Sequence, residues 1–286
     1  MRSRVSIAIV LLALLPQLAG AAGRRPAILL AAGDIADCSS PGDSLTAKLI
    51  ERLPGTVAAL GDTVYPIGSA SDYRRCYEPT WGHFKVRTRP AVGNHEYGTD
   101  GARGYFSYFG TKAAPPGGYY SYKLGSWHIV VVNSNCDPAG GCGVGSPQVA
   151  WLRADLRSHP SRCTLAYWHH PRFSSGRPDE AMQPIWALLA RSGVDVVLNG
   201  HDHEYERFAP LGANGERNPK HGIREFVVGT GGRALYPVLR RAAASERVIA
   251  FRWGVLRLEL GDGSYRWRFL AAPGGATLDG GSGSCR

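Results

Sequence analysis

Five apolar runs in this chain end alike, each followed within a few residues by carboxylates, amides or imidazoles. The first ends at Gly33-Asp34 and the second at Gly61-Asp62-Thr63-Val64-Tyr65. The third ends at Gly93-Asn94-His95-Glu96, the fourth at Trp168-His169-His170-Pro171, and the fifth at Asn199-Gly200-His201-Asp202-His203. In open α/β folds, ligand sites lie just beyond the carboxyl ends of the strands, so five such ends can converge on one site. One block alone says little: a Gly-Asp at a strand end is usually a turn, and a His-x-His is more often surface or core histidine than ligand. All five together, in order, are hard to explain as turns.

The runs themselves predict strands at Ala27–Ala32, Val57–Leu60, Pro90–Val92, His128–Val132, Thr164–Trp168, Val194–Leu198 and Glu225–Val228. Helix-like stretches lie between them, which is the alternation of an α/β fold. Asp43 is expected to cap a helix running through Leu53. Ser146 before Pro147 marks another start, because proline at the first helical position gives up no hydrogen bond. Asp179 is expected to cap a third helix, with Met182, Ile185, Trp186 and Leu189 facing inward. Leu256, Leu258 and Leu260, the turn Gly261-Asp262-Gly263, then Tyr265, Trp267 and Phe269 read as a hairpin with one buried face. Tyr120, Tyr122 and Leu124 suggest another hairpin arm. The Gly-rich stretch from Gly274 to Ser284 is expected to be irregular. The resulting division is a signal peptide over 1–21, one domain over 22–272 and a Gly-rich tail over 273–286.

Arg2 and Arg4, the apolar run Val5 to Leu15 and the small residues Ala19-Gly20-Ala21 form an export signal. No later run is long enough for a transmembrane anchor. The protein is therefore expected to be secreted, or at least extracytoplasmic. All six cysteines follow the signal, which favours disulfides in an oxidising compartment. Cys136 and Cys142 flank a Gly-rich loop and are expected to close it. Cys38–Cys76 with Cys163–Cys285 is the pairing adopted for the rest, with no residue-level reason to prefer it. The formal charge of +10 would draw anionic substrates, although its plainer reading as a solubility charge is preferred. No Lys/Arg run of nucleic-acid type appears, and the oligomeric state is left open.

The residues at the strand ends are metal ligands by type. Oxygen donors suit Mg, Mn and Fe(III), and imidazole suits Zn and Fe(II). In His201-x-His203 an extended backbone would send the two rings to opposite sides, towards two adjacent metals. The series Gly-Asp, Gly-Asp-x-x-Tyr, Gly-Asn-His-Glu, His and Gly-His-x-His resembles the calcineurin-like metallophosphoesterases. Tyr65 and the run His203-Glu204-Tyr205-Glu206-Arg207 narrow the resemblance to the purple acid phosphatase branch.

That resemblance implies an α/β (α+β) fold, a four-layer αββα sandwich of two mixed sheets flanked by helices. It implies that Asp34, Tyr65 and His203 bind a first metal, that Asn94, His169 and His201 bind a second, and that Asp62 bridges both. The first would be Fe(III), whose tyrosinate band gives the purple colour, and the second Fe(II), Zn or Mn. His95 would face a small phosphorylated substrate. Ala36 and Ala166 stand where the family usually has Gly and Val, but neither position is a ligand. The downstream histidine pair that contacts substrate in plant-type members has no counterpart at Pro178-Asp179. Two adjacent cations can clamp a phosphate and activate a water for in-line attack. His95 is the candidate general acid, with His170 second. Glu204 is assigned to orient a ligand histidine. The reading is a phosphomonoesterase. Its alternatives are a phosphodiesterase of nucleotides or lipid head groups, and a secreted binding protein without chemistry, against which the intact ligand series argues.

Overall fold

The computed structural model describes residues 25–286. The expected signal peptide and its cleavage point before Ala22 lie outside the described residues. Thirteen strands form two sheets among the described residues. They are β1 (Ala27–Ala32), β2 (Thr56–Leu60), β3 (Thr88–Ala91), β4 (Tyr120–Leu124), β5 (Trp127–Val131), β6 (Thr164–Tyr167), β7 (Val196–Asn199), β8 (Tyr205–Phe208), β9 (Arg224–Val228), β10 (Ser245–Ile249), β11 (Gly254–Gly261), β12 (Ser264–Ala271) and β13 (Ala276–Ser284). The first sheet runs β13-β12-β11-β1-β2-β3 and the second β10-β8-β9-β7-β6-β5-β4. Each is mixed: β1-β2-β3 and β5-β6-β7-β9 are parallel, with antiparallel strands beside them.

Strands buried on both faces read as continuous apolar runs, and the second sheet shows why. Ile129, Val131, Leu165, Tyr167, Val196 and Leu198 turn towards the first sheet and join its Leu29, Leu256 and Leu258 in one core. Their neighbours Val130, Val132, Ala166, Trp168 and Val197 turn the other way, onto Val149, Leu152, Met182, Ile185, Trp186 and Leu189. Those last six belong to the helices Pro147–Ser158 and Gln183–Arg191 and the turn of helix before the latter. The helix Gly42–Glu51 covers the first sheet through Ala47, Leu49 and Ile50. The architecture is the expected four-layer αββα sandwich. No helix among the described residues is long and apolar enough to cross a membrane.

The hairpin β11-β12 has the expected register, with Leu260, Leu258 and Leu256 opposite Tyr265, Trp267 and Phe269. Ser146 caps its helix by accepting from the Val149 amide, with Pro147 in first position. Two expectations are corrected. Asp43 is not a cap: Pro41 takes that position, and Asp43 lies in the first turn, accepting from the Ser44 amide. The Gly-rich tail is not irregular, since it supplies the edge strand β13. Gly281 and Gly283 pair with Trp267 and Tyr265, whose rings fill the space a Cβ would need, so glycine is what lets this strand close on the sheet.

Three disulfides join Cys38 to Cys76, Cys136 to Cys142 and Cys163 to Cys285. The third ties the segment after β13, on the edge of the first sheet, to the start of β6 in the second.

Candidate metal centre

The five blocks sit past the carboxyl ends of β1, β2 and β3 in one sheet and β6 and β7 in the other, so both sheets deliver side chains to one place. The turns there are tight. Asp34, Asp62 and His201 have φ of 58°, 45° and 73°, half of the six non-glycine residues in the left-handed region among those described. Such backbone costs on the order of 1–3 kcal/mol per residue, and it clusters at functional sites. Gly61 has φ +84° and passes so close to His169 that a Cβ would lie 2.6 Å from its ring.

Asp34 and Asp62 are buried side by side. The Tyr65 hydroxyl donates to Asp34 Oδ1 at 3.0 Å, with Asp62 Oδ2 at 3.2 Å and His203 Nε2 at 3.5 Å. The His201 amide donates to Asp34 Oδ2 at 2.8 Å, which leaves Oδ1 to Tyr65 and to His203 Nε2, 3.3 Å away. The Leu60 carbonyl accepts from His169 Nδ1 at 2.9 Å, so Nε2 turns inward, 3.1 Å from Asn94 Oδ1 and 3.3 Å from Asp62 Oδ2. The Ala234 carbonyl accepts from His203 Nδ1 at 2.7 Å and fixes that ring likewise. His201 stacks near His169 and His170, with ring centres 5.1 and 4.5 Å apart, while His203 lies beside Tyr65 and Asp34. The two rings of His201-x-His203 therefore diverge as expected, but through the left-handed turn at His201 rather than by strand alternation.

Carboxylates and imidazoles in the centre shift one another strongly. Burial opposes a charge on His169, but Asp62 and then Asp34 outweigh it and raise the imidazole to about 9. Burial likewise opposes the Asp62 carboxylate, yet His169 and His95 hold it below the usual range. Burial, with Asp34 and Asp62, pushes the Tyr65 phenol well above its usual value. His201 and His170 are pushed down to about 2 and about 3, by burial first and then by His169. Two carboxylates thus hold protons on an imidazole and a phenol, and neutral imidazoles stand beside them. Metal binding to such a set releases protons. The groups Asp34–Asp62–His169 and His169–His170–His201 each bring their donor atoms within 4.8 Å of one another.

His95 lies at the rim. Its amide donates to Asp62 Oδ1 at 2.9 Å, and the Pro66 carbonyl accepts from its Nδ1 at 2.6 Å. Nε2 then faces the centre, 3.8 Å from Asp62 Oδ2, on a side chain that is 37% exposed. His170 pairs its Nδ1 with Ser134 Oγ at 2.8 Å, and its amide donates to the same oxygen.

Glu204 does not orient a ligand histidine. The outer nitrogens of His169 and His203 are already taken by backbone carbonyls, and both Glu204 oxygens are buried without a hydrogen-bond partner among the described residues. Burial, then Glu206, raises that carboxyl to about 8. The bracing carboxylate is Glu96, quoted in the third block but given no role. Its oxygens accept from the amides of Gly93, Asp62, Thr63 and Val64 and from the Thr63 hydroxyl, joining the turns after β2 and β3. Burial, then Asp62, lifts Glu96 to about 7.

Ser134 was also missed, although Asn133-Ser134-Asn135 follows β5 as the other polar blocks follow their strands. Arg177 and Arg233 stand at the mouth. Arg177 donates to the His201 carbonyl and the Tyr236 hydroxyl, and Arg233 lies 4.6 Å over the Tyr65 ring. Gly229-Thr230-Gly231-Gly232 is a structural turn: the Gly231 amide is spent on the Gly33 carbonyl. Tyr105, Phe106, Tyr108 and Phe109 form a packing cluster, in which Tyr108 stacks on Tyr73 at 4.5 Å.

The chain is similar to several known proteins. Purple acid phosphatase 15 of Arabidopsis thaliana is 27% identical over 247 residues, covering 72% of this chain and 45% of its own length. "Probable inactive purple acid phosphatase 9" of the same plant is 26% identical over 270 residues, covering 73% of this chain and 40% of its own length. The chain thus spans less than half the length of these relatives. Purple acid phosphatase PPD1 from yellow lupin seeds superposes with a TM-score of 0.72 at 18% identity, over 90% of this chain and 53% of that one. GAP50, the anchor in the inner membrane complex of Plasmodium, has a TM-score of 0.72 at 15% identity, over 92% of this chain and 90% of that one. At such identities the two structures establish the shared fold alone. Residues 9–205 match the family model for calcineurin-like phosphoesterases. With that match spanning most of the sequence, the chain belongs to the calcineurin-like phosphoesterase family, on its purple acid phosphatase-like side.

Proposed function

We propose that this chain is a secreted, metal-dependent hydrolase of phosphate monoesters. One observation carries the reading: donor side chains from five strand ends of two sheets gather around the buried pair Asp34 and Asp62. Asp34, Tyr65 and His203 are assigned to one ion, Asn94, His169 and His201 to the other, and Asp62 to both. Fe(III) is assigned to the Tyr65 side, because a phenol pushed up by burial and two carboxylates ionises only against a strong positive charge. Fe(II), Zn or Mn suits the imidazole side. Two cations held there would polarise phosphoryl oxygens and make a water nucleophilic near neutral pH.

The chain's own groups do the rest. Glu96 holds the Asp62 turn. His95, locked through Nδ1 on Pro66, presents Nε2 to the leaving oxygen as general acid. His170, anchored by Ser134 and neutral because burial and His169 push it down to about 3, suits a hydrogen bond to substrate better than the second general-acid role. Arg177 and Arg233 place positive charge where a phosphate dianion enters. Three disulfides support an extracytoplasmic setting. The signal peptide over 1–21 and the domain over 22–272 belong to the same reading, with 273–286 completing the first sheet.

Paired monoester and diester substrates test this, together with metal analysis and a visible spectrum. The expected result is phosphate release from the monoester, at least two metal ions per chain and a broad visible band. Failure of metal-replete protein to cleave either ester would overturn the enzyme reading. A colourless, fully active Zn or Mn protein would overturn only the iron assignment.

A further inference from the structure

A second cluster of imidazole and carboxylate lies at the opposite end of the second sheet. His128 is near the start of β5, whereas the metal centre lies beyond the far ends of β6 and β7, which run parallel to it. Asp155 and His159 come from the last turn and C-cap of the helix Pro147–Ser158. The donor atoms of the three lie within 4.8 Å of one another.

The local geometry is that of atoms aimed at a shared neighbour. His128 Nε2 and Asp155 Oδ2 are 3.0 Å apart, on side chains that are 5% and 6% exposed. At that distance they should be hydrogen-bonded, yet neither atom has a partner among the described residues. The two are close enough for an ion pair without meeting the geometry of a hydrogen bond. The other Asp155 oxygen accepts from Ser121 Oγ at 2.7 Å, which fixes the carboxylate and keeps Oδ2 turned to His128. The His159 ring lies 5.3 Å from that of His128; its Nδ1, 3.0 Å from Asp155 Oδ1, donates at 3.0 Å to the Asp155 backbone carbonyl, which leaves Nε2 as the ring's free donor atom. A buried acceptor and a buried ring nitrogen left unpaired are costly, and natural structures satisfy them or use them. A cation between them does both.

We propose that His128, Asp155 and His159 bind a zinc ion outside the phosphoesterase centre. Two imidazoles and one carboxylate, with the fourth position open, is a set that zinc takes. The open side faces a cleft lined by Ser121, Lys123 and Ser161, and His159, 59% exposed, borders it. The set differs from the first centre in lacking a phenol and an amide, so it should not take Fe(III).

The test is X-ray anomalous scattering across the zinc edge, on crystals of the full chain equilibrated with zinc chloride. A peak between His128 Nε2 and Asp155 Oδ2 is expected, and zinc content after gel filtration should drop by one per chain in His159→Ala. His159 is on the surface, so that variant should fold and release phosphate within twofold of the parent. His128→Asn should lose the same ion. A filled Asp62 centre with no density at His128 would overturn the proposal, as would a bound ion there that survives His159→Ala. Density at His128 with none at Asp62 would support this site and count against the phosphoesterase reading, so the two stand or fall apart.

Discussion

The two ends of the second sheet carry the same residue types on different scaffolds. At the carboxyl end, the candidate ligands come from both sheets, three of them on left-handed backbone, and a buried carboxylate, Glu96, pins the turns together. At the other end, His128, Asp155 and His159 come from one strand and the helix that follows it, with no left-handed residue among them. The first arrangement depends on how the sheets meet. The second should survive any change that leaves β5 and its helix in place. A site built across two layers reports on tertiary packing, whereas one built within a strand-helix unit does not.

The largest expected effect is on stability, through the Cys163–Cys285 link, which staples the sheets at the His128 end and closes 122 residues. Chain entropy for a loop of that size gives a loss of about 4–5 kcal/mol on removing it. The double serine variant should therefore lose that much stability, measured by denaturant unfolding. Removing Cys136–Cys142, which closes only 6 residues, should cost about 2 kcal/mol. Equal losses would break the argument that the sheet-to-sheet staple matters. Next in size is Glu96→Ala. Groups that orient metal ligands are worth about 10–100-fold in affinity or activity. Turnover and metal retention at the Asp62 centre should fall by that much, with zinc at His128 untouched. Unchanged kinetics would show that the turns need no brace.

The smallest effect contrasts metal with proton as the counter-charge. Glu225, buried in β9 near Glu206, has one oxygen without a partner among the described residues. Burial, then Glu206, raises its carboxyl well above the ordinary 4.5, Arg172 notwithstanding. The folded state thus keeps a proton there that the unfolded chain gives up. Its stabilising contribution is full below pH 4.5 and is lost as pH rises. Glu225→Gln should raise the melting temperature by a few degrees at pH 8, at roughly 2–4 °C per kcal/mol for a chain this large, and by less at pH 5. A constant gain across that range would contradict the titration.

What could be read from the sequence follows the same divide. The cross-sheet centre announces itself because a polar block follows each of five strand ends, and a glycine marks the sharp turn in four of them. The Leu256–Phe269 hairpin is legible for a similar reason, since alternation has one physical cause. Glu96 was on the page but had no periodic partner: its role is to collect amides from turns that meet only in the fold. Ser134 belonged to a sixth strand end that went unread because it carries no charged residue. His128 is hidden inside an apolar run, and its partner sits a helix away. The glycines of β13 suggested disorder, because nothing in the sequence shows that aromatic rings from β12 lie across them.

The central claim is that Asp62 bridges two ions that carry out the hydrolysis. The most direct measurement is metal content and monoester turnover of Asp62→Asn, made in the His159→Ala background so that the second site contributes nothing. The account predicts two ions per chain before the substitution, and loss of both ions and of activity after it. Two ions retained with near-normal turnover would contradict it.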